Sequence, residues 1–368
     1  MKIDFQSSFS GTRPVAEAHA FDLVRLGAWM RAHVAGFSGR LRAEQFKGGQ
    51  SNPTFLLEAD GRRYVLRRKP PGTLLPSAHA VEREYRVIRA LGQTAVPVAK
   101  AHALCEYADV LGTPFYIMEY VEGRIFWDPA LPGMTSPERA AIFDEMNRVQ
   151  AELHALDPAA IGLGDYGKPG NYIARQVARW TKQYRAAETE RIEAADRLID
   201  WLPLHIPAGD ESRIVHGDYR LDNVIFHPDE ARILAVLDWE LSTLGHPLVD
   251  FAYHCMIWHM TAGERRGLVG LDLPMLGIPS EREYLRRYLE RTARKAGSEA
   301  GVQAEVSPAE WGYYLVFNMF RLVGILQGVA ARALQGNASS TLALETGRRT
   351  RPLAEQAWAL AQQVDAMR

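Results

Sequence analysis

The chain has 368 residues, of which 47% are hydrophobic and 24% charged, so it has enough apolar side chains for a packed core. Its 43 lysine and arginine residues nearly balance its 44 aspartate and glutamate residues, which argues against a nucleic-acid-binding protein because such proteins usually carry a basic excess. The two cysteines, Cys105 and Cys255, lie far apart, which excludes a disulfide scaffold and indicates a reducing compartment.

The first third of the chain predicts a small sheet with one inserted helix. The N-terminus has no signal-peptide-like apolar segment, and no later apolar run reaches the roughly 18 residues of a membrane span, so we expect a soluble, cytoplasmic protein. An N-terminal helix is expected near residues 21–30. Hairpins are expected from runs 54–58 and 63–68 and from runs 101–106 and 115–121, with a helix over 78–91 between them.

The rest of the chain predicts mainly helices. They are expected near residues 137–156, 173–187, 248–260, 281–296, 308–334 and 341–367. Two short strands, 224–227 and 233–237, form one further hairpin. The pattern predicts a small sheet lobe followed by a larger helical lobe, with a ligand cleft between them.

One segment carries most of the functional information. The sequence HGDYRLDN at 216–223 places Asp218 and Asn223 on a loop, and the following hairpin returns the chain to Asp238. Phosphoryl transfer needs oxygen ligands for Mg²⁺ and a carboxylate beside the acceptor hydroxyl. Each part alone is typical of an ordinary turn, but the combination predicts a phosphotransfer site.

This combination resembles the aminoglycoside phosphotransferase and choline-kinase-like family. The family signature, HGDxxxxN followed by an aspartate in an LDWE-like setting, is matched at His216, Asp218, Asn223 and Asp238, and the likeness spans roughly residues 20–340. It implies an α+β, protein-kinase-like bilobal fold. The small β-sheet lobe with one helix would occupy residues 1–120, and the larger, mostly helical lobe residues 121–368.

The resemblance also implies roles within the loop. Asp218 would position or deprotonate the acceptor hydroxyl, while Asn223 and Asp238 would hold Mg²⁺ on the ATP phosphates. His216 would brace the loop. Arg220 either reaches the transferring phosphate or is a surface arginine.

The small lobe should hold a cation for the α- and β-phosphates. Strand alternation places Val65, Arg67 and Lys69 on one face. Arg67 occupies the family's usual lysine position, and Lys69 is the second candidate; arginine keeps the charge but differs from lysine in shape and hydration. On the following helix, Glu84 borders the apolar stripe and matches the family's V-E-R-E pattern, so we expect it, and not Glu82, to pair with Arg67. The alternative is a solvated charge.

A glycine-bearing loop precedes this hairpin. Gly48, Gly49, Ser51 and Asn52 would cover the nucleotide, with backbone N–H groups facing the β- and γ-phosphates. The motif is also common in ordinary turns, so the prediction depends on the position of this loop between two strands.

The junction between the two lobes is the expected adenine site. The resemblance assigns Glu119 and Val121 to the base, with Met118 lining its pocket. The residue pattern alone would place Met118 in the core.

A helix after the catalytic hairpin carries further polar residues. Asp250 matches a family position that supports the loop structurally. His254, Cys255 and His259 invite a metal site, but two histidines five residues apart do not share a helix face, so core positions are favoured.

The expected acceptor is a small molecule with a hydroxyl group. The segments GGQSNPTF, VLRRKPPG and HGDYRLDN most resemble the kinase-like domains associated with acyl-CoA dehydrogenases. That likeness implies a hydroxyacyl thioester, such as a 4-hydroxyacyl-CoA. The helix near 171–187 either contributes to the acceptor pocket or only packs. The alternatives are a catalytically silent nucleotide-binding module, an aminoglycoside- or choline-type kinase, and a metal-dependent hydrolase.

Overall fold

The small lobe is built on one antiparallel sheet. The computed structural model describes residues 11–47, 52–70, 79–209, 211–262, 267–295, 305–335 and 343–368. Within them, six strands pair in the order β1-β2-β3-β4-β6-β5. The strands are β1 Thr12–Arg13, β2 Arg42–Phe46, β3 Thr54–Ala59, β4 Arg62–Arg68, β5 Ala101–Cys105 and β6 Phe115–Glu119.

The turn between β3 and β4 explains why this hairpin could be predicted. Asp60 and Gly61 have φ angles of 46° and 73°. Positive φ at both central residues matches a type I′ turn, which suits the right-handed twist of a hairpin. The strands β1 and β2 were not predicted, because the polar sequence RAEQF of β2 lacks the apolar alternation of a strand.

Two helices accompany the sheet: α1, Leu23–His33, and α2, Val81–Leu91. Helix α2 begins three residues later than predicted. Its buried face includes Val87, Ile88 and Leu91, and the helix contacts β5 and β6. Glu84 lies on this buried face, so the packing of the helix directs its carboxylate towards the sheet.

The large lobe consists mainly of helices. They are α3 Ser136–Ala155, α4 Tyr172–Ala186, α5 Glu193–Leu204, α6 Pro247–Cys255, α7 Leu273–Leu276, α8 Glu281–Lys295, α9 Pro308–Leu334, α10 Ala343–Gly347 and α11 Thr350–Ala366. Helix α5 was not predicted, and the single helix expected over 341–367 is two helices. The helix expected over 248–260 ends at Cys255 and continues as a 3₁₀ turn.

Two small strand pairs frame the segment with the signature residues. The predicted hairpin is confirmed as β8, Val224–Phe226, paired with β9, Ile233–Val236. The pair of β7, Arg213–Val215, and β10, Thr243–Gly245, was not predicted. Its partners are three residues long and distant in sequence, so neither shows a periodic pattern of its own.

Helix α9 forms the centre of the large lobe. By length and composition it could cross a membrane, but 72% of its most apolar window is buried inside the protein. This helix was predicted over 308–334 but not as a candidate membrane span, because the sequence criterion required an uninterrupted apolar run. Helix α9 packs against α4, α6, α10 and α11, so its apolar surface serves the core.

The linker after β6 crosses directly onto the β8–β9 hairpin. Arg124 and Phe226 exchange two backbone hydrogen bonds, each 2.8 Å long. A Cβ atom on Gly123 would lie 2.1 Å from the carbonyl oxygen of Phe226, so the approach requires glycine. This contact ties the small lobe's last strand to the hairpin beside the signature loop.

Candidate active site

The signature loop is held through its backbone by a buried carboxylate. Asp250, on α6, accepts hydrogen bonds from the N–H groups of His216 (2.9 Å) and Gly217 (2.7 Å). Gly217 has a φ of +83°, a backbone angle that residues with a side chain rarely adopt. The His216 ring contacts the carbonyl oxygen of Leu237 at 2.8 Å, which joins the loop to the end of β9.

The charge of Asp250 is stabilised inside the protein. His154 Nε2 lies 3.1 Å from the carboxylate, and His154 Nδ1 lies 2.7 Å from the hydroxyl of Tyr288. Burial raises the pKa of Asp250, but His154 and the backbone of His216 more than offset this effect and lower it to about 2. Asp250 therefore remains an anion that fixes the loop.

Asp218 is surrounded by hydrogen-bond donors. Tyr253 donates its hydroxyl to Oδ1 at 2.6 Å, and Asn223 donates its amide to Oδ2 at 3.0 Å. Arg220 reaches both oxygens, with Nε 3.0 Å from Oδ1 and Nη2 3.2 Å from Oδ2. This arrangement holds an ionised carboxylate in one orientation.

Asp238 and Asn223 are brought together by the β8–β9 hairpin. The N–H of Leu237 donates to the carbonyl oxygen of Asn223 at 2.8 Å. This bond places Asp238, the residue after Leu237, near Asn223. Asp238 adopts left-handed backbone angles, φ 62° and ψ 60°, which turn the chain out of the strand. The two predicted metal ligands thus lie at one end of one hairpin, beside Asp218.

Arg67 connects the small lobe to this cluster. Its Nε lies 2.8 Å from a carboxylate oxygen of Glu84, and its Nη2 donates to Asp238 at 2.6 Å. Glu240 lies 3.5 Å from the same Nη2. Burial lowers the pKa of Arg67, but Glu84 and Asp238 more than offset this effect, so the net pKa is raised.

The two candidate cations have separate partners. Lys69 pairs with Glu82 at 2.9 Å, whereas Arg67 pairs with Glu84. Tyr116 also donates to Glu84, at 3.2 Å. Burial raises the pKa of Glu84 to about 7, while Arg67 opposes the rise. The solvated-charge alternative for Glu84 is wrong, because its side chain is 1% exposed.

Asn52 has a different environment from the one expected for a residue that faces phosphates. Its side chain is fully buried, donates to Glu84 at 2.7 Å and contacts the ring of His79 at 2.9 Å. Asn52 therefore anchors the end of the glycine-bearing loop to the Glu84–Arg67 pair. The predicted phosphate contacts of Gly48, Gly49 and Ser51 lie outside the described residues.

The predicted adenine site follows the last strand of the sheet. Val65 is buried and pairs with the half-buried Met118 on the neighbouring strand. Glu119 is exposed and its N–H donates to the carbonyl oxygen of Lys100 at 2.9 Å. The backbone N–H of Glu119 is therefore not available to donate to an adenine. Val121 is half-buried in the linker.

The metal alternative on α6 has no support in the structure. His254 is buried and contacts the hydroxyl of Tyr284 at 2.9 Å, and burial lowers the pKa of His254 to about 4. His259 pairs instead with Glu281 at 2.9 Å. Over the part of the chain that the structure describes, no group of three or more histidine, cysteine or acidic side chains could hold a metal by itself.

Two residues of the site escaped the sequence reasoning. Tyr253 contacts Asp218 directly, and Arg321, from the centre of α9, donates to the carbonyl oxygen of Gly217 at 2.6 Å. The position of Tyr253, three residues after Asp250 on one helix, could have indicated that both face the loop. Arg321 lies in an apolar stretch with no motif around it. The only indication in the sequence was a single charged residue within an apolar helix.

Comparison with known proteins identifies the family. A family model described as the phosphotransferase enzyme family matches residues 42–302, which is more than half of the chain. The chain belongs to this family.

Curated relatives of this phosphotransferase-family chain carry another name. Mouse acyl-CoA dehydrogenase family member 10 is 46% identical over 94% of the chain, and mouse family member 11 is 42% identical over 94%. The probable acyl-CoA dehydrogenase IBR3 of Arabidopsis thaliana is 42% identical over 93%. The chain spans 32%, 44% and 43% of these relatives, so it matches only one part of each.

Solved structures show the same fold. A candidate aminoglycoside phosphotransferase from Ralstonia eutropha JMP134 is 55% identical, with a TM-score of 0.83, and the match covers 94% of this chain and 99% of that one. The aminoglycoside phosphotransferase APH(4)-Ia, in a ternary complex with ADP and hygromycin B, is 15% identical with a TM-score of 0.57, covering 87% and 95%. At that identity, the likeness concerns the fold, which is α+β with a sheet lobe and a helical lobe, as predicted.

The donor atoms beside Asp218 suit magnesium. Mg²⁺ prefers oxygen ligands and usually takes one or two carboxylates together with phosphates and waters. Asn223 uses its amide N–H groups on Asp218, at 2.8 Å from the carbonyl and 3.0 Å from the carboxylate, so Oδ1 is the atom that would ligate a metal. Asp238 would supply a carboxylate. The residues present fit a magnesium ion shared with a nucleotide.

Proposed function

We propose that the chain transfers the γ-phosphoryl group of ATP, with Mg²⁺, to a hydroxyl group of a small molecule. The observation that carries the proposal is the hydrogen bond of Asn223 to Asp218, with Asp238 next to Leu237, whose N–H bonds to the Asn223 carbonyl, together with the contact from Arg67 to Asp238. In this proposal Asp218 would be the base, Asn223 and Asp238 the metal ligands and Arg67 the phosphate-binding cation that such a transfer needs.

The coordination of Asp218 suggests how an acceptor hydroxyl would enter. An ionised carboxylate has about four lone-pair positions. Tyr253, Asn223 and Nη2 of Arg220 donate hydrogen bonds to Asp218, and Nε of Arg220 lies 3.0 Å from Oδ1 as an ion-pair contact without a hydrogen bond. The Arg220 side chain is 41% exposed, so it is the donor that can move. Its movement would free a carboxylate oxygen for the hydroxyl proton and bring its charge to the transferring phosphate.

Asn223 and Asp238 would hold Mg²⁺, which neutralises phosphate charge when bound. Asn223 orients Asp218 with its amide N–H groups, while Asp250 and His216 keep the loop fixed. Arg67 would bind the α- and β-phosphates from the small lobe. This division assigns the acceptor side to Asp218 and Arg220 and the donor side to the other residues.

Arginine at position 67 does not favour the silent-module alternative. The residue keeps a positive charge, pairs with Glu84 and reaches Asp238, which are the contacts expected of the phosphate-binding cation. Asn52 further fixes Glu84 from the glycine-bearing loop. These contacts of Arg67 and Glu84 support an enzyme that turns over its substrate.

The acceptor that we favour is a hydroxyacyl-CoA of the 4-hydroxyacyl type. The support is that the curated relatives sharing 94% of this chain are named acyl-CoA dehydrogenase family members. A chain linked to acyl-CoA chemistry would phosphorylate the hydroxyl of an acyl thioester, and the phosphate would then serve as a leaving group.

We propose a cytoplasmic location and a lobe boundary near residue 120.

The test is phosphoryl transfer from labelled ATP and Mg²⁺ to hydroxylated metabolites, including 4-hydroxyacyl thioesters. Replacing Asp218 by Asn should lower kcat by about 10²–10⁴-fold, because a general base contributes that much. Asp238→Ala should abolish the Mg²⁺-dependent reaction. Asp229→Ala, on the exposed turn of the same hairpin, is the matched control and should retain activity.

The outcomes separate the candidate functions. Nucleotide binding without transfer to any acceptor in the panel would establish the silent module instead. Release of phosphate to water, without a phosphorylated product and with full activity in Asp218→Asn, would favour a hydrolase.

A further inference from the structure

A buried arginine contacts the signature loop next to Asp218. Arg321 lies on α9 and is only 7% exposed. Its Nη2 donates to the carbonyl oxygen of Gly217 at 2.6 Å. Its guanidinium carbon lies 4.7 Å from the centre of the Tyr253 ring and 5.5 Å from that of Trp180. The cation is therefore enclosed by aromatic rings beside Asp218.

The charge of Arg321 has no acidic counterpart in the described parts of the chain. Its Nε is buried without a hydrogen-bond partner, and its polar contact is the neutral carbonyl of Gly217. By contrast, Arg67 pairs with Glu84 and Asp238. Burying a cation without a counterion is costly, and aromatic faces offset only part of that cost. A ligand oxygen would complete the set.

We propose that Arg321 binds an oxygen atom of the acceptor, either a carboxylate or a thioester carbonyl, while the hydroxyl of the same molecule lies at Asp218. This inference rests on the proposed phosphotransfer. Tyr253 joins the two positions, because its ring lies against Arg321 and its hydroxyl contacts Asp218 at 2.6 Å. The acceptor would therefore carry its carbonyl group a few bonds from its hydroxyl.

The same arrangement discriminates against polycationic acceptors. A buried guanidinium repels an ammonium group brought close to it, and this repulsion is strongest where water is excluded. The chain should therefore select hydroxy acids or their thioesters over aminoglycosides. Arg321 would be a specificity-determining residue.

Three acceptor probes that differ in one group test this inference. They are 4-hydroxypentanoate, the N-acetylcysteamine thioester of the same acid, and pentane-1,4-diol, which has no carbonyl group. The thioester probe lacks the phosphates of coenzyme A, so binding of those phosphates cannot confuse the result. Each probe is measured by phosphoryl transfer and by calorimetric binding in the presence of Mg²⁺ and AMP-PNP.

Arg321→Gln should weaken binding of the better carbonyl-bearing probe by about 10- to 100-fold and lower its kcat/KM similarly, because a charged hydrogen bond is lost. Binding of the diol should fall much less, because it has no carbonyl oxygen to lose from Arg321, and any change in ATP hydrolysis without acceptor reports loss of the Gly217 contact alone. The affected probe identifies the source of the oxygen as carboxylate or thioester. Arg321→Lys should recover part of the carboxylate affinity. Circular dichroism confirms folding, and Arg332→Gln, exposed on the same helix, is the matched control.

Equal losses for all three probes and for ATP hydrolysis would overturn the inference, because Arg321 would then only brace Gly217. Unchanged binding in Arg321→Gln, or no binding of any carbonyl-bearing probe to the wild type, would also overturn it. Absence of phosphoryl transfer from a wild type that binds the probes would instead contradict the proposed function, and the calorimetric comparison would still decide the role of Arg321.

Discussion

The guanidinium of Arg67 contacts carboxylates from both lobes at once. Nε faces Glu84 of the small lobe at 2.8 Å, and Nη2 faces Asp238 of the large lobe at 2.6 Å. A lysine has a single nitrogen on a flexible chain, whereas the wider guanidinium of arginine can donate a hydrogen bond to Asp238 through Nη2 while Nε stays in ion-pair contact with Glu84. Arginine at this position therefore bridges the two lobes, and in the proposed function it would also bind phosphate.

We predict that Arg67→Met lowers the free energy of unfolding by about 3–5 kcal/mol, because it removes the counter-ion of the buried Glu84 and leaves that carboxylate only the neutral donors Asn52 and Tyr116. Urea denaturation measures the change. The control is Arg63→Met on the same strand, where the pair with Glu122 is exposed and its loss should cost less than about 1 kcal/mol.

The double variant Arg67→Met/Glu84→Leu should recover part of the lost stability, since it removes both members of the buried pair. If Arg67→Met cost no more than Arg63→Met, the buried pair would have no special role in stability.

At the scale of elements, the linker after β6 joins the two segments that carry the proposed nucleotide site. Its backbone pairs with the β8–β9 hairpin through Arg124 and Phe226, and the same hairpin carries Asn223 and leads to Asp238. The Arg124 guanidinium also donates to the carbonyl oxygens of His227 and Glu230 at 2.9 and 2.8 Å. The strand that would bind adenine and the hairpin that would bind the metal are thus one connected unit.

We predict that Gly123→Ala disrupts this unit. The new methyl group would lie 2.1 Å from the backbone oxygen of Phe226 and 2.5 Å from Ile225 Cγ2, so the backbone must move. The expected cost is about 1–3 kcal/mol of unfolding free energy, with weaker ATP binding because the linker and the hairpin separate. Denaturation and calorimetric titration with Mg²⁺ and AMP-PNP measure the two effects.

Gly164→Ala provides the comparison for that experiment, since its nearest neighbouring atom would lie 3.5 Å away. It should change stability and affinity little. Equal behaviour of the two variants would mean that the linker tolerates displacement and does not set the geometry of the cleft.

At the scale of the whole molecule, buried titratable groups make stability depend on pH. His254 lies within the core of the large lobe, where burial lowers its pKa from 6.5 to about 4. The unfolded chain binds a proton at this residue below about pH 6.5, whereas the folded chain stays neutral until about pH 4. Stability is therefore full above pH 6.5 and falls as the pH decreases through this window.

We predict that wild-type stability falls by about 2 kcal/mol between pH 7.5 and pH 5 through His254, since one pKa unit corresponds to about 1.4 kcal/mol. His254→Gln, which keeps a polar group near Tyr284 without titrating, should flatten this decrease. Urea denaturation at the two pH values measures it. His33→Gln on the exposed face of α1 controls for loss of a surface histidine, and an equal slope in wild type and His254→Gln would contradict the prediction.

Features that depend only on residues close together in the sequence could be predicted. The turn at Asp60 and Gly61 specified a hairpin through its backbone angles, and the apolar stripe of α2 placed Glu84 beside a buried face. The β7–β10 pair could not be predicted, because three-residue strands that meet only after the chain folds leave no periodic signal. Helix α5 and the break between α10 and α11 were also not predicted; all three of these helices pack against α9.

The sequence by itself determined the chemistry available: the spacing of Asp218, Asn223 and Asp238, the cation on β4 and the carboxylate on α2. Such groups lie on short segments whose local conformation follows from residue types and turn geometry. Only the tertiary structure decided that Arg67 reaches Asp238, that Tyr253 holds Asp218 and that Arg321 lies behind the loop. Those contacts join residues up to 171 positions apart, and they form because the core brings distant segments together, which no local pattern encodes.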